Sequence, residues 1–180
     1  MQQKSFFIRI TYRGGNRMEN SFADKAEEWE AIYERHANTV YRVCFLYVKN
    51  KYDAEDMVQN TFIRLMNNPV DFQSENHEKA WLIKTATNLC KDFFKHWWQK
   101  TVGIDVVAET GKEDSFNDNE LLEKVFALPE QLRVSIYLYY YEGYKTGEIA
   151  KMIGKREATV RSNLHRGRQL LKIELEDSER

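Results

Sequence analysis

The apolar residues between Thr146 and Leu164 have the spacing of two short helices joined by a tight turn. Thr146 is a residue type that caps helices, and Gly154 can supply the turn before a second helix that begins near Glu157. The residues expected to face inward are Ile149, Ala150, Ile153, Val160 and Leu164. The pattern therefore predicts a helix-turn-helix whose outward face carries Arg161, Ser162 and His165.

The segment from Tyr144 to Lys172 is strongly basic, whereas the whole chain is close to neutral. It contains eight Lys or Arg and two Glu, a local charge of +6 within a chain of net charge -1. Most charge runs are only a solvated helix face, but a solvated face does not need small residues such as Ala150 and Gly154 where two helices cross. The basic helix-turn-helix therefore predicts binding to DNA.

Helical periodicity extends over most of the chain. Apolar residues recur every three or four positions, and only two prolines occur among 180 residues, of which 42% are hydrophobic. This pattern predicts an all-α protein of two small helical domains. The first domain is expected to hold four helices, the third of them capped by Asp53. Their expected ranges are Asp24 to His36, Thr39 to Lys49, Asp53 to Asn67 and His77 to Trp98.

An acidic stretch from Asp105 to Glu123 separates the two predicted domains. Seven acids against Lys112 alone give it a local charge of -6, a composition typical of a flexible linker. It could shield the basic surface in the free protein, or it could be only a solvated tether. The expected organisation is an N-terminal extension (1–21), a first domain (22–101), the acidic linker (102–118) and a second domain (119–176).

The seventeen residues before Met18 have two interpretations. Arg13-Gly14-Gly15 can be encoded by a purine-rich ribosome-binding sequence at a suitable distance upstream of Met18. We therefore hypothesise that translation begins at Met18 and that the preceding residues are a non-native leader. The alternative is a short amphipathic strand or a flexible arm. Recovery of leader peptides from the endogenous protein would exclude the hypothesis.

No set of residues in the sequence predicts catalysis or metal binding. Cys44 and Cys90 stand apart among apolar neighbours, as core residues do, and the four histidines are scattered. No segment has the length of an uninterrupted membrane span. We expect a non-enzyme with no catalytic residues, no metal, no cofactor, no small-molecule substrate and no direct membrane insertion. Two lone thiols favour the reducing cytoplasm.

Three motifs occur in order along the chain: DAEDMVQNTFIRL at 53–65, AWLIKTATNLCKD at 80–92 and LPEQLR at 128–133. Together with the helix-turn-helix they resemble the extracytoplasmic-function (ECF) sigma factors, small bacterial transcription initiation factors of the sigma-70 family. The resemblance covers Phe22 to Leu175. It implies that the first domain is sigma region 2, a four-helix unit, and that the second is sigma region 4.

In that family, the helix matching 53–65 docks on the clamp helices of the largest subunit of RNA polymerase. The resemblance therefore implies a docking face on this helix, with Phe62 in the core. Asn60 stands where the family commonly has Glu, so one polar contact differs. The implied polymerase-facing residues are Asp53, Glu55, Asp56 and Gln59.

The fourth predicted helix has features suited to opening DNA. Unstacking a base costs a few kcal/mol, which an aromatic or planar polar pocket can offset by stacking and hydrogen bonding. By resemblance, Phe72 and the loop to Lys79 line a pocket for a base flipped out of the minus-10 element. Lys84 and Asn88 would face that pocket, and phosphates would be held by Lys91, Lys95 and Lys100.

In the second domain, the resemblance places Arg161, Ser162 and His165 over bases of the minus-35 element. Arg161 suits a guanine edge. Phosphate contacts, which set the register of a protein on DNA, are implied for Thr146, Lys155, Thr159 and Arg166.

The predicted function is an alternative sigma factor that recognises promoter DNA and nucleates melting. Its implied partners are core RNA polymerase, at the clamp helices and the flap, and an anti-sigma factor. One alternative is a stand-alone helix-turn-helix DNA-binding regulator or a phage DNA-packaging adaptor, which would need the basic C-terminus but not the docking helix. A recombinase would need a nucleophilic Ser or Tyr in a basic pocket or a carboxylate cluster, and the sequence offers no such set.

Overall fold

The computed structural model describes residues 18–100 and 120–178, and every regular element in those two ranges is an α-helix. The predicted all-α fold is confirmed, while the leader before Met18 and the acidic linker lie outside the described residues. The helices are α1 (Met18–Val48), α2 (Lys51–Asn67), α3 (Glu75–Lys100), α4 (Glu120–Ala127), α5 (Glu130–Tyr140), α6 (Thr146–Ile153) and α7 (Glu157–Ser178).

The two helices predicted at 24–36 and 39–49 are one continuous helix, so residues 18–100 hold three helices rather than four. The residues between the predicted helices, Ala37 and Asn38, include neither proline nor glycine. Relative to alanine, an asparagine in a helix costs less than about 1 kcal/mol, which is too little to interrupt a long amphipathic helix. The predicted break was therefore wrong.

Two predicted helix caps were also wrong, each by a few residues. Asn50 rather than Asp53 caps α2, because its Oδ1 accepts hydrogen bonds from the backbone N–H of Tyr52 at 2.9 Å and of Asp53 at 3.1 Å. At α6 the cap position is Lys145, whose N–H donates to the Glu148 carboxylate at 2.8 Å. Thr146 is thus the first residue inside the helix.

The compact unit that begins at Asn38 contains helices α2 to α7 and the end of α1. In it α2 packs against α3, α5 against α7, and α6 against both α3 and α7. Gly167 of α7 lies so close to α5 that a Cβ atom there would be 2.8 Å from Ile136 Cγ1. Asn163 ties the same pair of helices together by donating to the Gln131 carbonyl at 3.1 Å and the Ser135 hydroxyl at 3.2 Å.

The predicted core positions of α2, α6 and α7 are buried, as the helical periodicity indicated. The confirmed set is Phe62, Ile149, Ala150, Ile153, Val160 and Leu164, and Met57, Val58, Thr61 and Leu65 of α2 are buried as well. Cys44 and Cys90 are also buried free thiols, and the hydrogen bond with Cys90, followed by burial, raises the pKa of Cys44. Among the described helices, none is both long enough and apolar enough to cross a bilayer.

Candidate nucleic-acid interface

The helix-turn-helix forms where the sequence predicted it. Gly154 ends α6 in the left-handed conformation (φ 62°), which a glycine adopts without steric cost, and α7 begins three residues later at Glu157. Because the apolar side chains of α6 and α7 face inward, the other face of α7 is left to solvent. The predicted base-contacting residues Arg161, Ser162 and His165 are all exposed there.

Glu157 joins two residues for which separate DNA contacts were predicted. One oxygen of its carboxylate, Oε1, accepts a hydrogen bond from the Thr146 hydroxyl at 2.7 Å and another from Arg161 Nη2 at 2.6 Å. The Thr146 hydrogen bond, followed by the Arg161 contacts, lowers the pKa of Glu157, so the carboxylate is ionised at neutral pH. Its role was missed in the sequence, although Glu157 and Arg161 have the i, i+4 spacing of a helical ion pair.

The other predicted phosphate-contacting residues surround the turn and the first part of α7. Lys155 and Arg166 are exposed, and Thr159 is half-buried. The backbone N–H of Lys155 donates to the Ala150 carbonyl at 3.0 Å, which holds the turn against α6. Lys155 therefore has a defined backbone position and a side chain that is accessible to a phosphate.

The predicted minus-10 residues of α3 form one stripe along the helix. Lys84, Asn88, Lys91 and Lys95 are spaced four, three and four residues apart, so they share a face about 16 Å long. Lys84, Asn88 and Lys95 are exposed, whereas Lys91 is half-buried. These four residues are called the α3 stripe below. Lys100 lies at the end of α3, where the structure describes the backbone only.

Phe72 lies before α3 in an aromatic group. Its ring packs edge-on against His77, with centroids 5.6 Å apart, and against Trp81, with centroids 6.0 Å apart. Phe72 and Trp81 are both half-buried. Three partly or fully exposed aromatic residues thus stand just N-terminal to the α3 stripe, and aromatic side chains can stack on an unpaired base.

Part of α3 is covered by the helix-turn-helix. Lys91 Nζ donates a hydrogen bond to the Ile153 carbonyl at the end of α6. Burial, followed by the charge of nearby Lys155, lowers the pKa of Lys91. Nearer the start of α3, Lys79 forms an ion pair with Glu142, and its ammonium lies 5.8 Å from the ring centroid of Tyr144. The structure thus brings Lys91, which was predicted to serve the minus-10 element, near Lys155, which was predicted to serve the minus-35 element.

Arg133 makes a buried polar contact between α5 and α1. Its side chain is buried, and its guanidinium donates to the Leu46 carbonyl, to the Tyr47 carbonyl at 3.3 Å and to the Leu128 carbonyl at 3.1 Å. Leu46 and Tyr47 belong to the last turn of α1, whose carbonyls have no partner within the helix. Arg133 therefore caps α1 from a distant part of the chain.

The predicted polymerase-docking residues lie on α2. Asp56 and Gln59 are exposed, Asp53 and Glu55 are half-buried, and burial together with Asp56 raises the pKa of Asp53. Asn60 donates to the Asp56 carboxylate at 3.1 Å.

Two exposed apolar residues missed in the sequence share this face of α2. Tyr52 is 77% exposed and Ile63 is 41% exposed. With Asp56 and Gln59 they are spaced four, three and four residues apart, so the four side chains form one face of α2. An apolar residue that breaks the core periodicity at this spacing is the signal that could have found them.

No chemistry beyond binding is evident in the described ranges. There, no three His, Cys, Asp or Glu side chains converge as a metal site would require. The two described cysteines are buried. What the described residues offer is an acidic and apolar face on α2, a basic and aromatic face on α3, and a basic face on α7.

Two family models match the chain. Residues 32–99 match Sigma-70 region 2, and residues 118–171 match Sigma-70, region 4. These matches overlap the two groups of helices that carry the faces described above.

Characterised relatives match most of the chain. It is 32% identical over 143 residues to the RNA polymerase sigma factor SigV of Bacillus subtilis, covering 78% of this chain and 86% of that protein. It is 31% identical over 155 residues to the ECF RNA polymerase sigma factor SigE of Mycolicibacterium smegmatis, covering 80% of this chain. The chain spans 60% of that mycobacterial protein's length.

A solved structure has a similar fold. The sigma factor RpoE from Bartonella quintana, in complex with the anti-sigma factor NepR, gives a TM-score of 0.61 at 20% identity. The match covers 85% of this chain and 97% of that one.

Proposed function

Because the chain belongs to the ECF sigma factors of the sigma-70 family, we propose that it binds core RNA polymerase, directs it to promoters and nucleates DNA melting there. The polymerase supplies the chemistry of RNA synthesis, and this protein catalyses no reaction of its own. It acts in the cytoplasm, where bacterial transcription takes place.

The observation that carries the proposal is the presence of two separate basic faces on one chain. The α3 stripe presents Lys84, Asn88 and Lys95 to solvent, and α7 presents Arg161 and His165. A stand-alone helix-turn-helix regulator needs only the second of these faces. Two faces suit a protein that contacts two promoter elements at once.

The α3 stripe takes the minus-10 element in this proposal. Lysine side chains on one helix face can follow a phosphate backbone, and the rings of Phe72 and Trp81 offer stacking to a flipped base. Asn88 can hydrogen-bond the edge of that base, since an amide both donates and accepts. Base stacking contributes about 1 to 3 kcal/mol per base, which is comparable to the cost of unstacking one.

The exposed face of α2 takes core polymerase. Tyr52 and Ile63 are apolar side chains that a monomer leaves in water, and they lie beside the acids Asp56 and Glu55. Aromatic and aliphatic side chains surrounded by polar groups are typical of protein interfaces. We place the clamp helices of the largest subunit against this face and the flap against the second domain.

Promoter binding requires the contacts between α3 and α6 to break. The names of the minus-10 and minus-35 elements give their positions, which are about 25 base pairs apart. At about 3.4 Å per base pair, this separation is about 85 Å. Surfaces that touch through Lys91 and Ile153 cannot reach both. The contacts of Lys79, Lys91 and Arg133 therefore belong to the free protein, and an anti-sigma factor would be the partner that keeps it from the polymerase.

Run-off transcription tests the proposal. Sigma-free core polymerase is incubated with and without the protein on fragments of its own genome, including the region upstream of its gene. We expect new specific transcripts with the wild-type protein and with Glu123→Gln, an exposed carboxylate of α4 outside the three faces. Transcripts should be reduced by a Lys84→Ala, Asn88→Ala double substitution. Specific DNA binding without transcription would instead identify a stand-alone regulator.

A further inference from the structure

The structure assigns Glu157 a role in reading sequence: we propose that its carboxylate accepts a hydrogen bond from a cytosine N4 amino group in the minus-35 element. Arg161 would read a guanine in a neighbouring base pair. This inference rests on the proposed function and deepens it by adding a specificity-determining residue. The two side chains would then select a guanine and a cytosine as a unit.

The position of Glu157 suits contact with base edges. It is the first residue of α7, and the N-terminal residues of a recognition helix lie nearest the bases in the major groove. Its side chain is 44% exposed and that of Arg161 is 69% exposed. Four residues span about 6 Å of helix, so the two side chains can reach base pairs one or two steps apart at about 3.4 Å per step.

One oxygen of the carboxylate is already used, and the other is available. Oε1 accepts the hydrogen bonds from Thr146 and Arg161. Within the described part of the chain, no donor is hydrogen-bonded to Oε2, which lies 3.5 Å from where a Cβ atom on Gly147 would be. At that separation even a Cβ would make only an ordinary van der Waals contact, so residue 147 does not crowd the free oxygen. The carboxylate is therefore oriented by two donors and retains acceptor capacity.

The chemistry of an oriented carboxylate favours cytosine. Glu157 is ionised and can only accept, so it needs a base that presents a donor in the major groove. Cytosine presents its N4 amino group, whereas adenine places its N6 amino group beside the N7 acceptor, which repels a carboxylate. Guanine and thymine present acceptors there. Phosphate repulsion of Glu157 is offset by the guanidinium of Arg161.

The test is holoenzyme binding to a promoter library. Core polymerase is reconstituted with the wild-type protein or a variant, and relative affinities are measured for every single base-pair change in the minus-35 element of a promoter found by run-off transcription. The variants are Glu157→Ala, Glu157→Gln and Arg161→Ala, with Glu123→Gln as the charge-matched control.

We expect Glu157→Ala to remove a preference for cytosine of about fivefold at one base pair, the low end of the range for base contacts because a single oxygen is involved. Glu157→Gln should shift that preference toward adenine, since glutamine pairs with adenine N6 and N7. Arg161→Ala should act at a different base pair, and Glu123→Gln should match the wild-type profile.

Two results would overturn the inference while leaving the proposed function intact. In the first, each Glu157 variant changes the affinity for all promoter variants by the same factor, which would mean that Glu157 acts only through its charge. In the second, Glu157→Ala loses discrimination only at the base pair that Arg161 reads, so that Glu157 merely positions the arginine. If the wild-type holoenzyme showed no sequence preference in the minus-35 element, the proposed role of α7 would be contradicted as well.

Discussion

Replacing Arg133 by methionine should loosen the attachment of α5 to α1. Methionine retains the apolar stem and removes the three guanidinium hydrogen bonds, two of which end on carbonyls in the last turn of α1. A hydrogen bond to a charged group contributes about 1.5 to 3 kcal/mol. The sum is reduced because the substitution also relieves the desolvation of a buried guanidinium and lets water reach the carbonyls. We expect a net loss of about 2 to 4 kcal/mol.

Two measurements check this expectation. Urea unfolding gives the free energy of unfolding, and spin labels on cysteines introduced at the exposed positions Asn67 and Gln169 give the distance distribution between α2 and α7. We expect Arg133→Met to lower the free energy of unfolding and to add longer distances to the distribution between α2 and α7. Arg64→Met, which removes an exposed arginine of α2, should change stability by no more than about 0.5 kcal/mol.

The reasoning would be refuted if Arg133→Met behaved like Arg64→Met in both measurements. An unchanged free energy of unfolding together with an unchanged distance distribution would mean that the guanidinium adds nothing to the contact between α5 and α1. Lost stability with unchanged distances would mean that the remaining contacts, such as those between α3 and α6, keep the helices in place without Arg133.

Three further predictions concern single positions. Lys49 has a φ of 54°, so Lys49→Gly should raise the free energy of unfolding by about 0.5 to 1 kcal/mol, whereas Lys49→Ala, which keeps a Cβ, should not. Gly167→Ala should destabilise the fold by about 1 to 3 kcal/mol because its Cβ meets Ile136 Cγ1. In an Ile136→Ala background, which lacks that atom, adding Gly167→Ala should cost less, and an equal cost in both backgrounds would contradict the packing. In DNA binding, Arg161→Ala should cost about 1 to 3 kcal/mol at one base pair, whereas Lys155→Ala should weaken all sequences alike and lower the salt slope; uniform losses for both would contradict these roles.

Local features of the sequence were enough to predict the helix-turn-helix. The apolar positions of α6 and α7 repeat with the period of a helix, and Gly154 stands where the chain must turn through a left-handed conformation. Both kinds of information lie within a few residues of the positions that they determine. For the same reason the outward placement of Arg161, Ser162 and His165 could be predicted.

Helix ends were less predictable, because several nearby residues can satisfy the same N–H groups. Asp53 and Thr146 are good capping residues, yet Asn50 caps α2 and Lys145 occupies the cap position of α6. The choice depends on where the preceding chain bends. The continuous α1 shows the same limit, since burial of its apolar face outweighs the weak helix propensity of Asn38.

The sequence by itself determined the helical class, the faces of the helices and the family motifs, because side-chain periodicity and turn chemistry are local. Only the tertiary structure decided that Arg133 caps α1 from 87 residues away and that Lys91 meets the end of α6. Such contacts depend on the path of the chain between the two partners, which no periodicity encodes. The same is true of Glu157, whose spacing suggests a pairing with Arg161 but whose contact with Thr146 exists only once α6 and α7 have packed.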